Sequence, residues 1–418
     1  MKPESKRWLV LIASIAINLC IGSGYAWSVF AGPLNEYFTN TLMLAGVTAA
    51  GITLAFTISN LLGPVTMIVG GRVQDMFGPR WVIFTGAFMF GGGVFLTGFA
   101  KSLTSLYLSY GLLMGLGMGL IYSCTIANTV KWFPDKRGLV SGLATAGYGT
   151  GSIVVPPIAN ALIGSAGIMG AFRTLGIAYF IIIAIGSFFV AQAPANFKPE
   201  GWTPPAPAPG SAVSGVDKDW KQMLADPVFY VLLMMIMIGA FAGLMIISQA
   251  RQIAIDLTAV PVATAVAAVS LIALGNTGGR FLWGAVSDGI GRYTALTLMY
   301  IISGVSVFTL NFASSYGLFI TAAMLIALCF GGIMGIFPAL TADMFGPKNN
   351  GVNYGIMFTG FAIAATLGPM LAANVKASSG SYNTAFIIAA VLNLVGVALT
   401  YLVSSISKKR AAERMAGN

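Results

Sequence analysis

Gly71-Arg72-Val73-Gln74-Asp75-Met76-Phe77-Gly78-Pro79-Arg80 has a counterpart 213 residues later, Gly284-Ala285-Val286-Ser287-Asp288-Gly289-Ile290-Gly291-Arg292. Both read G-x-x-x-D-x-x-G with an arginine close behind. Glycine lets helices approach closely and turn tightly, and the aspartate can meet an arginine or a helix N-terminus. One copy would say little, because Gly and Asp are ordinary turn residues. Two copies in corresponding places indicate a duplicated chain.

The composition says what was duplicated. Of the 418 residues, 57% are hydrophobic, and the 52 glycines raise the apolar share to about 69%. Soluble domains carry roughly 45–50% apolar and about 25% charged residues, whereas this chain is 8% charged. So little charge cannot solubilise so much apolar surface, so the chain is an integral membrane protein. Its hydrophobic residues suffice for twelve spans of ~20 residues. Helix-length apolar runs are read at 8–33, 43–69, 81–100, 105–130, 138–163 and 171–193, then at 227–250, 258–284, 294–313, 316–342, 352–375 and 382–405. The first follows a basic start as a secretory signal does, but it is too long for one. The two motif copies fall after spans two and eight.

Six of the 18 prolines lie between Pro194 and Pro209, in a stretch that ends PPAPAPGSAVSG. This reads as a semi-extended linker. It divides the chain into a six-helix bundle (1–193), a linker (194–226) and a second six-helix bundle with a basic tail (227–418). Asp217–Ala225 reads as a short interfacial helix. With both termini inside, 17 of the 22 basic residues are cytoplasmic; Lys101, Arg173, Arg251 and Lys376 are outside, and Arg280 lies within a span. That distribution assigns the net charge of +10 to membrane topology rather than to nucleic acid. Histidine is absent, Cys20, Cys124 and Cys329 are scattered in apolar runs, and no nucleotide motif occurs. Neither catalysis, a metal site nor a cofactor is supported.

The duplicated motif resembles that of the major facilitator superfamily, which places it after helices two and eight. Trp132-Phe133-Pro134-Asp135-Lys136-Arg137-Gly138, Ala146-Gly147-Tyr148-Gly149, Tyr25-Ala26-Trp27 and Asn353-Tyr354-Gly355 narrow the likeness. They resemble the oxalate/formate antiporter and monocarboxylate transporter branch, most of all its bacterial monocarboxylate members. The resemblance implies an all-α fold of two pseudo-symmetric six-helix bundles that work by alternating access, usually as a monomer.

Arg280 is the charge that composition does not explain. It lies eight residues before Asp288, about 12 Å along a helix and inside a ~30 Å hydrocarbon core. A cation there costs at least ~2.5–3.5 kcal/mol unless it finds a partner or water. No acid in the sequence is placed to supply one, so the missing anion is expected to be the substrate. The alternative is that Arg280 snorkels toward Asp288; against it, the 213-residue shift puts Met67, not a cation, opposite Arg280. In the resembling family a helix-eight arginine binds the substrate carboxylate. Asn276, one turn earlier on the same face, either hydrogen-bonds substrate or guanidinium, or bonds a neighbouring helix.

Tyr25, Trp27, Tyr122, Tyr148, Phe337, Tyr354, Phe358 and Phe361 lie on spans that line the cavity in this fold, and are candidates for an apolar wall with hydroxyl handles. Each is also an ordinary packing residue. Gly111, Gly115 and Gly119 in span four, with Gly331 and Gly335 in span ten, read as helix-contact faces. Asp75, Arg80, Asp288 and Arg292 are expected to secure the closed cytoplasmic side. Together these features predict a secondary transporter of small monocarboxylates such as L-lactate in a bacterial cytoplasmic membrane, with a proton as the coupling ion. The alternatives are an exchanger of oxalate, formate or similar acids, and a carboxylate sensor that does not transport.

Overall fold

The computed structural model describes residues 3–44, 46–194, 197–203 and 216–416. The proline-rich residues 204–215 lie outside these, as does the side chain of Tyr25. Among the described residues, eleven helices are long and apolar enough to cross a membrane. One of them, Arg137–Phe189, has 53 residues, about 80 Å of helix against a ~30 Å core. It breaks at Gly167 (φ 70°, ψ 172°), a conformation that costs glycine little. The pieces 137–166 and 168–189 are spans five and six, and the total is twelve.

Spans one to four are Pro3–Gly24, Ala50–Phe77, Pro79–Thr97 and Leu103–Trp132. Spans seven to twelve are Pro227–Thr258, Val262–Ile290, Arg292–Phe312, Tyr316–Phe345, Asn350–Ser379 and Asn383–Arg410. Several outrun the apolar segments that announced them. Span two continues from 69 to Phe77 and span eight from 284 to Ile290, so the repeated motif forms the last helical turns rather than a loop. Outside hydrocarbon, polar side chains cost nothing on a helix, and the ladder runs on until a residue leaves helical geometry. Those residues are Gly78 (φ 87°) and Gly291 (φ 88°), 213 apart. The run at 8–33 is not continuous either: Gly22–Ala26 tightens into a 3₁₀ turn before the helix Trp27–Glu36. Gly22 there lies directly against the Tyr148 carbonyl, leaving no room for a Cβ. The short helix expected before span seven is Trp220–Leu224, capped by Asp219 with Gln222 bonding back.

The chain forms two compact units. Unit one comprises residues up to Trp132, Gly147–Phe197 and Tyr354–Ile356. Unit two comprises Phe133–Ala146, Lys198–Asn353 and the chain from Met357 onward. Glycines set the close packing inside each, as expected of Gly111, Gly115, Gly119, Gly331 and Gly335. In unit one, Gly111, Gly115 and Gly119 face Ala55–Ile58, Ser59 and Gly63–Thr66 of span two. In unit two, Gly331 and Gly335 lie against the Asn276 and Arg280 carbonyls, and Gly279 against that of Leu328. Trp81, Phe88, Ile185, Val305 and Leu394 stand exposed on the outer faces, surface that acyl chains would cover.

Candidate substrate site

Span eight is held on two sides within unit two. Span ten meets it backbone to backbone at Gly331 and Gly335, while Gly142 of span five sits on the Arg280 carbonyl and Gly138 on that of Gly284. No side chain fits in these seams, so the guanidinium must leave them. Arg280 is 1% exposed. Its Nη1 donates to the Thr145 carbonyl at 3.1 Å, an acceptor already inside a helix. Its Nε has no hydrogen-bond partner, and no acid pairs with it among the described residues. The Asn276 Oδ1, one turn away, is also buried without a partner. A donor and an acceptor are thus left unsatisfied on one helix face, where most buried polar groups are paired.

The aromatic candidates fall in both units. In unit two, Phe361 stacks on Phe358 (centroids 4.6 Å apart) and on Phe330 (6.4 Å), and Phe337 is fully buried. In unit one, Tyr122 and Tyr148 meet edge to face at 5.2 Å, and Trp27 packs between Tyr110 and Phe56. Tyr354 is fully buried there, beside Gly355, which seats on the Met67 and Ile68 backbone.

The motif residues divide likewise. Asp288 accepts the N–H groups of Gly138 and Leu139 at 2.9 and 2.8 Å, capping span five with a carboxylate where the helix dipole favours one. It also pairs with Arg292 at 2.7 Å. Arg292 reaches Asp343 at 3.1 Å, and Arg137 holds the other Asp343 oxygen at 2.6 Å. In unit one, Asp75 pairs with Lys131 at 2.7 Å. Arg80 stands outside that pair: it donates to the Phe188 carbonyl at 3.0 Å and lies over the Phe188 ring. Sequence reading did not single out Lys131 or Asp343, nor assign Arg137 a role. Lys131 precedes the Trp132–Gly138 motif, Arg137 lies within it and Asp343 sits in the last turn of span ten, but only helix packing shows who meets whom.

Twelve apolar spans, a duplicated motif and a buried cation define a membrane transporter of secondary type, not an enzyme. The Major Facilitator Superfamily signature matches residues 12–302 and 253–416, and the chain belongs to that family. It is 30% identical to the oxalate:formate antiporter of Oxalobacter formigenes over 404 residues, covering 95% of this chain and 91% of the relative. It is 34% identical over 189 residues to monocarboxylate transporter 9 of Gallus gallus, covering 44% and 36% of the two chains. The proton:xylose symporter XylE shares the fold, with a TM-score of 0.75 at 11% identity over 95% of this chain and 96% of that one.

Proposed function

We propose that this chain carries small monocarboxylates such as L-lactate across a bacterial cytoplasmic membrane, with both termini inside and protons as the coupling ion. The observation that carries the reading is Arg280, a buried guanidinium with an unsatisfied Nε and no acid partner among the described residues. A carboxylate supplies the charge and the acceptor together, in the two-pronged geometry that guanidinium favours. Asn276 supplies a further hydrogen bond. The stack of Phe330, Phe358 and Phe361 suits a methyl or short alkyl group, which gains about 0.8 kcal/mol per buried carbon. A second carboxylate would lose its hydration without a partner, at several kcal/mol. Oxalate is therefore expected to bind at least about a hundredfold more weakly than propionate or pyruvate. Competition of these acids against labelled lactate tests this; oxalate competing as well as propionate would overturn it.

The runner-up is anion exchange, favoured by the likeness to the oxalate:formate antiporter. Asn276 stands where animal monocarboxylate carriers of the resembling family place an aspartate, and the sequence has no histidine. The coupling proton is then carried by the substrate carboxyl itself or by water beside Arg280. Lactate uptake into proteoliposomes under an imposed pH gradient separates the two readings. Flux indifferent to that gradient but dependent on internal anion would replace symport with exchange.

A further inference from the structure

Asp226 lies just before span seven, is 5% exposed, and accepts the Val228 N–H at 3.0 Å as the helix cap. A cap needs one acceptor and no cation. This carboxylate holds two. Arg410, at the end of span twelve, grips both oxygens at 2.8 and 2.9 Å, and the Lys218 ammonium bonds Oδ2. Burial alone would raise the Asp226 carboxyl, but the bonds from Arg410, Lys218 and Val228 outweigh it and hold it well below the usual carboxylate range.

Lys218 is also tied by its main chain. Its N–H donates to the Phe345 carbonyl at 2.8 Å, and its own carbonyl accepts the side-chain amides of Asn349 (3.1 Å) and Asn353 (3.0 Å). Asp217 accepts the Lys348 N–H at 3.1 Å. Gly346 (φ 87°) lies so close to Asp217 that no side chain fits between them. Residues 217 and 218 therefore cross the turn between spans ten and eleven as a strap, fastened at one end to Asp226 and at the other to Asn353. Asn353 lies in the first turn of span eleven, and the next residues, Tyr354–Ile356, contain the glycine seated on Met67 and Ile68.

We propose that Asp226 is a positioning residue for transport: acting through Lys218, it fixes the strap across the ten–eleven turn and so sets the first turn of span eleven. It touches no substrate. Its effect belongs on the rate of the conformational cycle and not on substrate affinity. The proposal takes from the functional reading only that the chain is a transporter.

The test uses the full-length protein with Asp226→Ser, which keeps a competent helix cap while removing the charge, and with Lys218→Met. Hydrogen exchange is followed in peptides covering 345–353, and labelled lactate uptake is measured in proteoliposomes. The expected result in both variants is at least tenfold faster exchange in 345–353, with Vmax reduced fivefold or more and KM within twofold of the parent. Unchanged exchange would show that Asp226 only caps span seven. Faster exchange with an unaltered Vmax, or an effect confined to KM, would equally overturn the proposal. Lys218 is partly exposed, so its variant decides the matter if Asp226→Ser fails to fold. The exchange measurement needs no substrate; a parent protein that does not take up lactate strikes the substrate assignment and leaves the strap to be judged by exchange.

Discussion

Span two and span eight are copies that have kept their scaffold and parted at one position. Asp75 and Asp288, Gly78 and Gly291, and Gly71 and Gly284 correspond under the 213-residue shift. So do the seats on them: Gly142 rests on the Arg280 carbonyl, and Gly355, 213 residues on, rests on Met67. Where the second copy buries a guanidinium with free valence, the first buries a thioether that needs no partner. The glycine seats and helix ends are thus a property of the fold, whereas the cation is an addition to one copy. A residue that architecture does not require, in a place where it is costly, is what the proposed function rests on.

Making the copies alike should have the largest effect. Arg280→Met, which installs the first copy's residue, is expected to abolish saturable lactate uptake, a loss of a hundredfold or more, in a protein that still folds; Arg280→Lys should recover only part. Met67→Leu, the matching change in span two, should alter uptake less than twofold. Near-normal uptake by well-folded Arg280→Met would remove the basis of the comparison.

The two ion-pair sets come next. Arg292→Met leaves Asp288 and Asp343 without their shared cation and is expected to cost about 3–5 kcal/mol. Lys131→Met removes a cation from one acid rather than two and should cost less; thermal unfolding in detergent gives the order. Gly142→Ala forces a Cβ into the Arg280 carbonyl, and overpacking of this kind costs about 1–3 kcal/mol. It should also cut uptake, because the same backbone carries the guanidinium. Gly355→Ala has its nearest backbone neighbours at 2.9 Å and should be milder in both assays. Arg80→Gln should be smallest, within about 1 kcal/mol, since it removes only a carbonyl contact and a ring contact.

The fold was legible because its signals are local and redundant. Apolar runs gave twelve spans, and the paired motif gave the duplication. Arg280 was legible for the opposite reason, as a local violation of the surrounding rule. Helix ends were misplaced because hydropathy marks where hydrocarbon stops, while Gly78 and Gly291 mark where the helix stops. The pairing of Asp75 with Lys131, and of Asp343 with Arg137 and Arg292, was hidden because it joins residues 51 to 206 positions apart. The same holds for the Thr145 carbonyl, since nothing in a sequence marks one backbone oxygen as an acceptor. Residues 133–146, which belong with unit two, and 354–356, which belong with unit one, carry no boundary signal at all.

The depth of Arg280 also has an electrical meaning. It lies about 6 Å from Gly284, where the apolar run of span eight ends, roughly 0.2 of a ~30 Å core. A unit charge crossing the whole membrane gains or loses about 2.3 kcal/mol per 100 mV. A proposed carboxylate substrate reaching Arg280 from the far face traverses up to about 0.8 of that field, worth at most ~1.8 kcal/mol per 100 mV, or roughly a twentyfold change in affinity. Under the proposed function, one buried cation thereby makes substrate occupancy a function of voltage, with a different sensitivity on each side of the membrane.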